Sequence, residues 1–297
     1  MSTMRVLVLG AGGMLGHVLF RSLSARPGLD VHATCRNRAA LEGSFPPELS
    51  ARLLHGVIAD DFGSVRDAIA EVRPGAVVNC IGVVKQLPEA SDPLVAIPVN
   101  ALLPHRLAAA CADAGARLVH VSTDCVFSGR KGSYTEDDPA DADDLYGLSK
   151  RLGEVTRPGC VTLRTSIVGH ELSGRHGLLE WFLAQEGPVR GFERAIFSGL
   201  PTAELARVVA ERVLPAPGLE GLYHVSSDPI SKYDLLKLFA EAYGKRIEIE
   251  RDDAFACDRS LDSSRFRAAT GYRPPPWPEL VRAMRDEEES ARRKDAP

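Results

Sequence analysis

Val6-Leu7-Val8-Leu9 runs straight into Gly10-Ala11-Gly12-Gly13-Met14-Leu15-Gly16, and a helical pattern follows from about Met14 to Ser24. Few local arrangements accommodate that order. The apolar run from Arg5 to Leu9 is too short for a helix and reads as a buried parallel strand. Strand, glycine turn and helix together open a βαβ unit. Gly10 permits the tight turn, Gly13 lets backbone approach a pyrophosphate, and Gly16 lets the helix pack close to the sheet. Met14 and Leu15 fall in the first helical turn, beside the same ligand position. The spacing is G-x-x-G-x-x-G, unlike the G-x-G-x-x-G of many dehydrogenases. A plain tight turn is the competing reading, and the placement between strand and helix favours the dinucleotide site.

The rest of the first half repeats the theme. Val31–Cys35, Leu53–Val57, Ala76–Ile81, Leu118–Val121 and Cys160–Arg164 read as strands. Helical patterns alternate with them, notably Val65–Val72 and a long helix within Pro93–Ala114. That helix is expected to turn Leu102, Leu103, Leu107 and Ala110 inward and to stop at Gly115. The alternation implies an α/β chain with a Rossmann-type doubly wound parallel sheet, whose ligands sit at the carboxyl ends of the strands. After the second strand come Arg36, Asn37 and Arg38, where an NAD-binding chain would usually carry an acid. Guanidinium suits a 2′-phosphate, so NADPH is the expected cofactor, with NADH left open. Residues 1–169 are expected to form the NADP-binding domain, completed by about 200–226. Residues 170–199 and 227–297 would form a smaller C-terminal substrate-binding lobe. Gly129–Asp144 reads as a solvated acidic loop, His120 as a satisfied core residue, and Asp286–Pro297 as a frayed helix end.

Tyr146 and Lys150 lie at spacing i, i+4, one turn apart on one face of a helix. A lysine ammonium beside a phenol favours the phenolate and should lower its pKa, which fits proton transfer to or from a carbonyl oxygen. A bare YxxxK means little alone. Its weight comes from Gly10, Arg36, Gly82 and Thr123 all falling at strand ends. Net charge is −4, which gives no sign of a nucleic-acid or membrane-surface partner. The six cysteines show no paired metal-ligand spacing, so no metal is expected. No apolar run approaches a membrane span, and Met1–Arg5 lacks the layout of a signal peptide. The expected location is cytoplasmic.

Gly10–Gly16, Asn79-Cys80-Ile81-Gly82, Ser122-Thr123-Asp124 with Val126-Phe127, Tyr134-Thr135-Glu136-Asp137 and Tyr146-Gly147-x-x-Lys150-x-x-Gly153-Glu154 together resemble the extended short-chain dehydrogenase/reductases. Within them the resemblance is to the nucleotide-sugar 4-keto reductases of the dTDP-4-dehydrorhamnose reductase kind. It is strong to about Ser166 and continues through Phe197–Thr202. It implies NADPH-dependent reduction of the 4-keto group of a nucleotide-linked 6-deoxysugar. It assigns Tyr146 as proton donor, Lys150 as its electrostatic support and ribose ligand, and Thr123 as the group holding the carbonyl oxygen. Ile81, Gly82, Val83, Ser122, Thr165, Ser166 and Ile167 would line the cofactor. Lys85, Thr123, Asp124, Cys125, Trp181 and Arg190 would face the substrate. Cys125 departs from the aromatic residue usual there, and Ile81–Gln86 also departs from the family pattern.

Two other readings stay open on the sequence. One is an NAD-dependent nucleotide-sugar epimerase on the same scaffold. The other is a regulatory subunit that keeps the fold without the chemistry. The expected partners are a nucleotide-sugar substrate and, left open, a second copy of the chain.

Overall fold

The computed structural model describes residues 3–295. Seven strands form one parallel sheet: β1 (Met4–Leu9), β2 (Leu29–Cys35), β3 (Leu53–His55), β4 (Ala76–Asn79), β5 (Arg117–Thr123), β6 (Cys160–Thr165) and β7 (Gly221–His224). Their order is β7-β6-β5-β4-β1-β2-β3. The chain steps outward from β1 to β3, then returns to start again at β4. The order therefore reverses between β1 and β4, and the crevice at their carboxyl ends is the ligand position of such a sheet.

β1 shows why these residues make this architecture. Val6, Leu7, Val8 and Leu9 are fully buried, and alternate side chains point to opposite faces. Val6 and Val8 join one apolar cluster, Leu7 and Leu9 another. A strand wrapped on both faces reads as a continuous apolar run, and burying each side chain contributes roughly 1.5–3 kcal/mol. α1 (Met14–Ser24) covers the first face, while α2 (Phe62–Val72) and α3 (Pro93–Asp113) cover the second. α4 (Leu145–Leu152) packs beside α3. The cluster under α1 continues through α5 (Leu178–Leu183), α6 (Thr202–Val208), α7 (Lys232–Ala242), α8 (Ser264–Thr270) and α9 (Trp277–Asp295). Phe182, Phe239 and Trp277 thus share one core with β1.

Beyond the main sheet, Val189–Phe192 pairs with Ile249–Asp252, and Ala195–Phe197 pairs with both Ile230–Ser231 and Cys257–Asp258. Ile167–Val168 pairs with Leu200–Pro201.

Several expectations need correction. α3 contains a π-helical stretch, Ile97–Leu102, which inserts a residue into the turn and shifts the face that follows. Leu102 is consequently 43% exposed, while Leu103 and Leu107 remain buried. α3 is also long and apolar enough to cross a membrane by length and composition, yet half of that stretch is buried, with Leu103, Leu107 and Cys111 in the core. The loop from Gly129 to Asp144 is not simply solvated. Tyr134 is buried and stacks on Phe127 with ring centroids 4.1 Å apart, and the Glu136 carboxylate accepts from the backbone N–H of His224 at 2.8 Å. His120 is only half satisfied: Asn79 meets its Nδ1 at 3.1 Å, and the buried Nε2 has no partner. Burial drives its pKa well below the ordinary value, so the ring stays neutral. The expected frayed end is helical through Asp295, and Ala296 and Pro297 lie outside the described residues.

Candidate active site

The cofactor end is built from backbone. Gly10 sits at φ +90°, a region that L side chains rarely adopt. Its N–H donates to Thr34 Oγ1 at 3.2 Å, and Ala11 N donates to the Thr34 carbonyl at 2.8 Å, tying the turn to β2. Gly13 is the extended N-cap residue of α1 and carries no side-chain cap, so the first-turn N–H groups at Met14 and Leu15 stay available for an anion. A Cβ added at Gly16 would lie 2.0 Å from the Gly10 carbonyl oxygen. Gly16→Ala is therefore expected to spread the turn and weaken NADPH binding by at least about tenfold, which a fluorescence titration measures. Arg36 and Arg38 are exposed past the end of β2.

Past β4, Ile81 N donates to Asn79 Oδ1 at 3.1 Å, and Val83 exchanges two hydrogen bonds with the Asn100 side chain at 3.0 and 3.1 Å. Asn100 belongs to the π stretch of α3, is 1% exposed, and also donates to Ser149 Oγ at 3.4 Å. It thereby joins the Ile81–Gly82–Val83 loop to α4. Residue spacing carries no signal for it.

α4 carries the central pair. Its N-cap is Asp144, whose carboxylate accepts from Gly147 N at 2.8 Å and pairs with Lys85 at 2.7 Å. A Cβ at Gly153 would lie 2.0 Å from the Asn100 carbonyl oxygen, so the helix seats directly on α3. Tyr146 is half-buried, with the Thr123 side chain near enough to favour its phenolate. Lys150 is buried, donates to the Val121 carbonyl at 2.8 Å, and stands 3.9 Å from the position of a Cβ on Gly82.

The electrostatics differ from the sequence expectation. Burial raises the Tyr146 phenol above its ordinary pKa, helped by Cys125, Asp124 and Asp144, against a lowering bond from Thr123. Burial lowers Lys150 to about 8, against Glu154 and Cys80. Burial sets the direction of both shifts, opposite to the lowered phenol expected from the lysine's charge. At pH 7 the phenol is neutral, the form a proton donor needs, and the lysine is mostly charged.

Thr123 ends β5 and also caps the following turn, accepting from Cys125 N at 3.1 Å. The Ser122 hydroxyl is committed elsewhere: it donates to Glu154 at 2.8 Å. Glu154 in turn takes a bidentate pair from Arg164 at 2.6 and 2.7 Å. Thr165 ends β6, and Ser166 and Ile167 follow it, with Ser166 O accepting from Leu200 N at 2.8 Å. The predicted substrate residues separate into three places. Asp124 is buried, Cys125 is half-buried beside Tyr146, and the Cys125 thiol is pushed up to about 12 by burial. Lys85 is engaged with Asp144. Trp181 and Arg190 line a cavity of about 280 Å³ with Gln86, His176, Leu178, Phe192, Lys232 and Leu236. Arg190 also pairs with Asp252 at 3.3 Å and remains 72% exposed. Two cations that sequence reasoning missed approach the site from the far end of the chain. Arg259 donates to the Phe127 carbonyl at 2.7 Å and bears on Asp124 and Cys125, and Lys232 also bears on Asp124.

A glycine turn under α1, a basic end to β2 and a Tyr/Lys/Thr set near the carboxyl ends of the strands belong to an α/β chain with the extended short-chain dehydrogenase/reductase architecture. Residues 4–289 match the model of the RmlD substrate binding domain, and the chain belongs to that family. Spore coat polysaccharide biosynthesis protein SpsK of Bacillus subtilis is 32% identical over 97% of this chain and 99% of its own. A dTDP-4-dehydrorhamnose reductase of Streptomyces griseus is 38% identical over 50% of this chain, and that match spans only 43% of the relative's length. Methionine adenosyltransferase 2 subunit beta of Danio rerio is 30% identical over 80% of this chain and 74% of its own. Among solved structures, dTDP-4-dehydrorhamnose reductase of Bacillus anthracis in complex with NADP superposes with a TM-score of 0.76. It is 21% identical and covers 97% of this chain and all of its own, a likeness of fold.

Proposed function

We propose that this protein reduces the 4-keto group of a nucleotide-linked 6-deoxysugar with NADPH. The observation that carries the reading is the Tyr146 phenol set close to the Thr123 side chain, with the buried Lys150 one turn on and beside Gly82. The Gly10–Gly16 turn, the open first turn of α1 and Gly82 suit a dinucleotide, which supplies the hydride when bound. Residues 1–169, completed by about 200–226, hold it. Segments 170–199 and 227–297 bring Trp181, Arg190 and Lys232 to the substrate side. Tyr146 gives its proton to the carbonyl oxygen. Lys150 stabilises the tyrosinate that remains. Thr123 fixes the phenol against the sheet edge. General-acid help of this kind is typically worth about 10²–10⁴-fold.

Arg36 and Arg38 distinguish this reading from an NAD-retaining epimerase, since guanidinium groups suit a 2′-phosphate. The complete Thr123, Tyr146 and Lys150 set favours an enzyme over a regulatory subunit. The test is a panel of 4-keto sugar nucleotides assayed with NADPH and with NADH. The expected result is NADPH oxidation with at least one member. Replacing Arg36 and Arg38 by Ala should raise KM for NADPH by roughly 10–100-fold and leave NADH nearly unchanged, the loss of charge-assisted hydrogen bonds worth about 1.5–3 kcal/mol. Equal use of both cofactors by the unaltered protein would count against the assignment.

A further inference from the structure

Cys35 and His55 are the last residues of β2 and β3, and the parallel register sets them side by side. The Cys35 Sγ lies 3.4 Å from His55 Nδ1. Burial pushes the Cys35 thiol up, so it keeps its proton and donates to Nδ1. An imidazole that accepts at Nδ1 carries its own proton at Nε2. Among the described residues nothing accepts from that Nε2–H, and the side chain is exposed. A donor is thus held in one orientation and left open at the carboxyl end of the sheet, where ligands of such a fold bind. Its neighbours are basic. Gly56 N donates to the Arg36 carbonyl at 3.3 Å and Val57 N to the Cys35 carbonyl at 3.2 Å, which ties the chain past β3 to the chain past β2. Arg38 comes close enough for its charge to act on the His55 ring. The loop after β2 also reaches back to the glycine turn: a Cβ on Gly12 would meet Leu41 at 3.6 Å. Arg36, Arg38 and His55 therefore surround the end of β2, beside the turn that suits a pyrophosphate.

We propose that His55 is a third ligand to the adenosine 2′-phosphate of NADPH, a specificity-determining residue that acts with Arg36 and Arg38. The proposal rests on the NADPH reading above. A dinucleotide whose pyrophosphate lies over the Gly10–Gly16 turn places its adenosine ribose at the end of β2. β3 is one strand spacing further out, about 4.8 Å. A 2′-phosphate at that corner meets two guanidinium groups from the loop and the imidazole from the neighbouring strand. NADH carries only a 2′-hydroxyl there and offers His55 no anion. The three groups differ in one respect. Guanidinium stays charged at every working pH, whereas imidazole gains its charge near neutrality. Without ligand, burial and then Arg38 hold His55 below its ordinary pKa. A phosphate beside the ring favours the imidazolium and moves that pKa up. Nδ1–H then donates to the Cys35 sulfur, and Nε2–H stays on the phosphate. The extra affinity is fully present below the ligand-free pKa of His55 and is lost as pH rises through the ligand-bound one. The groups facing the ring are the Cys35 thiol and the Arg38 guanidinium, so the imidazole is the member of the corner that titrates.

The test uses the full chain, unaltered, as His55→Gln and as Arg36→Ala with Arg38→Ala, and the probes are NADP⁺ and NAD⁺. Calorimetry gives Kd for both at about pH 6 and about pH 8, either side of an ordinary imidazole. Glutamine keeps a donor and never carries a charge. His55→Gln should weaken NADP⁺ by about five- to tenfold at the lower pH and by less than about twofold at the higher. That is the low end of the roughly 10–100-fold of a charge-assisted hydrogen bond, because the corner is exposed to solvent. NAD⁺ affinity should not move at either pH. The phosphate's own ionisation near about pH 6 is common to both proteins and cancels in their ratio. No loss, a loss shared equally by NAD⁺, or a loss equal at both pH values overturns the proposal. The second readout follows the ring. The His55 C–H resonance, assigned as the one missing from His55→Gln, is titrated by NMR. NADP⁺ should raise its midpoint by about one pH unit and NAD⁺ should leave it in place. Equal midpoints with the two probes overturn the proposal. The double arginine variant separates this result from the cofactor reading. If it loses the preference for NADP⁺ while His55→Gln keeps that preference in full, the cofactor reading stands and the role of His55 falls. If the unaltered protein binds NADP⁺ no more tightly than NAD⁺, the cofactor reading fails and the role of His55 fails with it.

Discussion

Tyr146→Phe is expected to lower kcat by at least about two orders of magnitude while NADPH binding changes little. The variant removes one oxygen from a side chain that is already half-buried. The packing of α4 is preserved, because the ring stays. What is lost is the phenolic proton beside the Thr123 side chain. The magnitude follows from general-acid catalysis, typically about 10²–10⁴-fold. Steady-state kinetics and an NADPH titration on the same preparation separate the two quantities. A variant with near-normal kcat would remove Tyr146 from the chemistry, and with it the role assigned to α4.

The second large effect lies in stability. Glu154 and Arg164 form a bidentate pair with side chains only 8% and 6% exposed. The pair is embedded: Ser122 donates to the same carboxylate, Arg164 meets His224 Nε2 at 3.2 Å, and its guanidinium lies 5.2 Å from the centroid of the Phe127 ring. Glu154→Ala would leave a buried guanidinium without its counter-charge, a change that typically costs about 3–5 kcal/mol. For a chain of this size that corresponds to a Tm lowered by roughly 6–20 °C. Combining it with Arg164→Met should recover most of the loss, since a buried ion pair replaced whole by apolar side chains is often near neutral. Calorimetry on the single and double variants measures both. A Tm unchanged in Glu154→Ala would mean that the pair does not hold β5, β6 and β7 in register. Ser122 and Thr123 end β5, so the same variant should also lose activity.

The sequence was most informative where function depends on neighbours in the chain. The Gly10–Gly16 turn, the apolar strands and the i, i+4 spacing of Tyr146 and Lys150 are local patterns with local consequences, and the structure sets the turn past the end of β1 and Lys150 beside Gly82 past the end of β4. Three things were hidden for physical reasons. Arg259 and Lys232 are more than a hundred residues from Asp124 by their numbering, and only lobe packing brings their charges to it. Asn100 joins the loop after β4 to α4 from within a π turn, and a single inserted residue leaves no trace in a 3.6-residue period. The direction of the Tyr146 shift was read from the neighbouring charge of Lys150. Burial, which a sequence does not display, decides it the other way.

The expected substrate residues fared unevenly in the same sense. Trp181 and Arg190 meet at one cavity, while Lys85 is held by Asp144 at the head of α4. A charge just past a strand end suits a ligand and a helix cap equally well, and only the observed partner distinguishes them.

Hydride transfer itself is the most direct measurement. NADPH carrying deuterium at the transferable position of its nicotinamide is incubated with a 4-keto-6-deoxysugar nucleotide and the protein, and the product is read by NMR. The expected product carries one deuterium at sugar carbon 4, with one NADP⁺ formed per sugar reduced, and both are lost with Tyr146→Phe. Deuterium that stays on the cofactor, or a sugar changed in configuration without net cofactor oxidation, would contradict it.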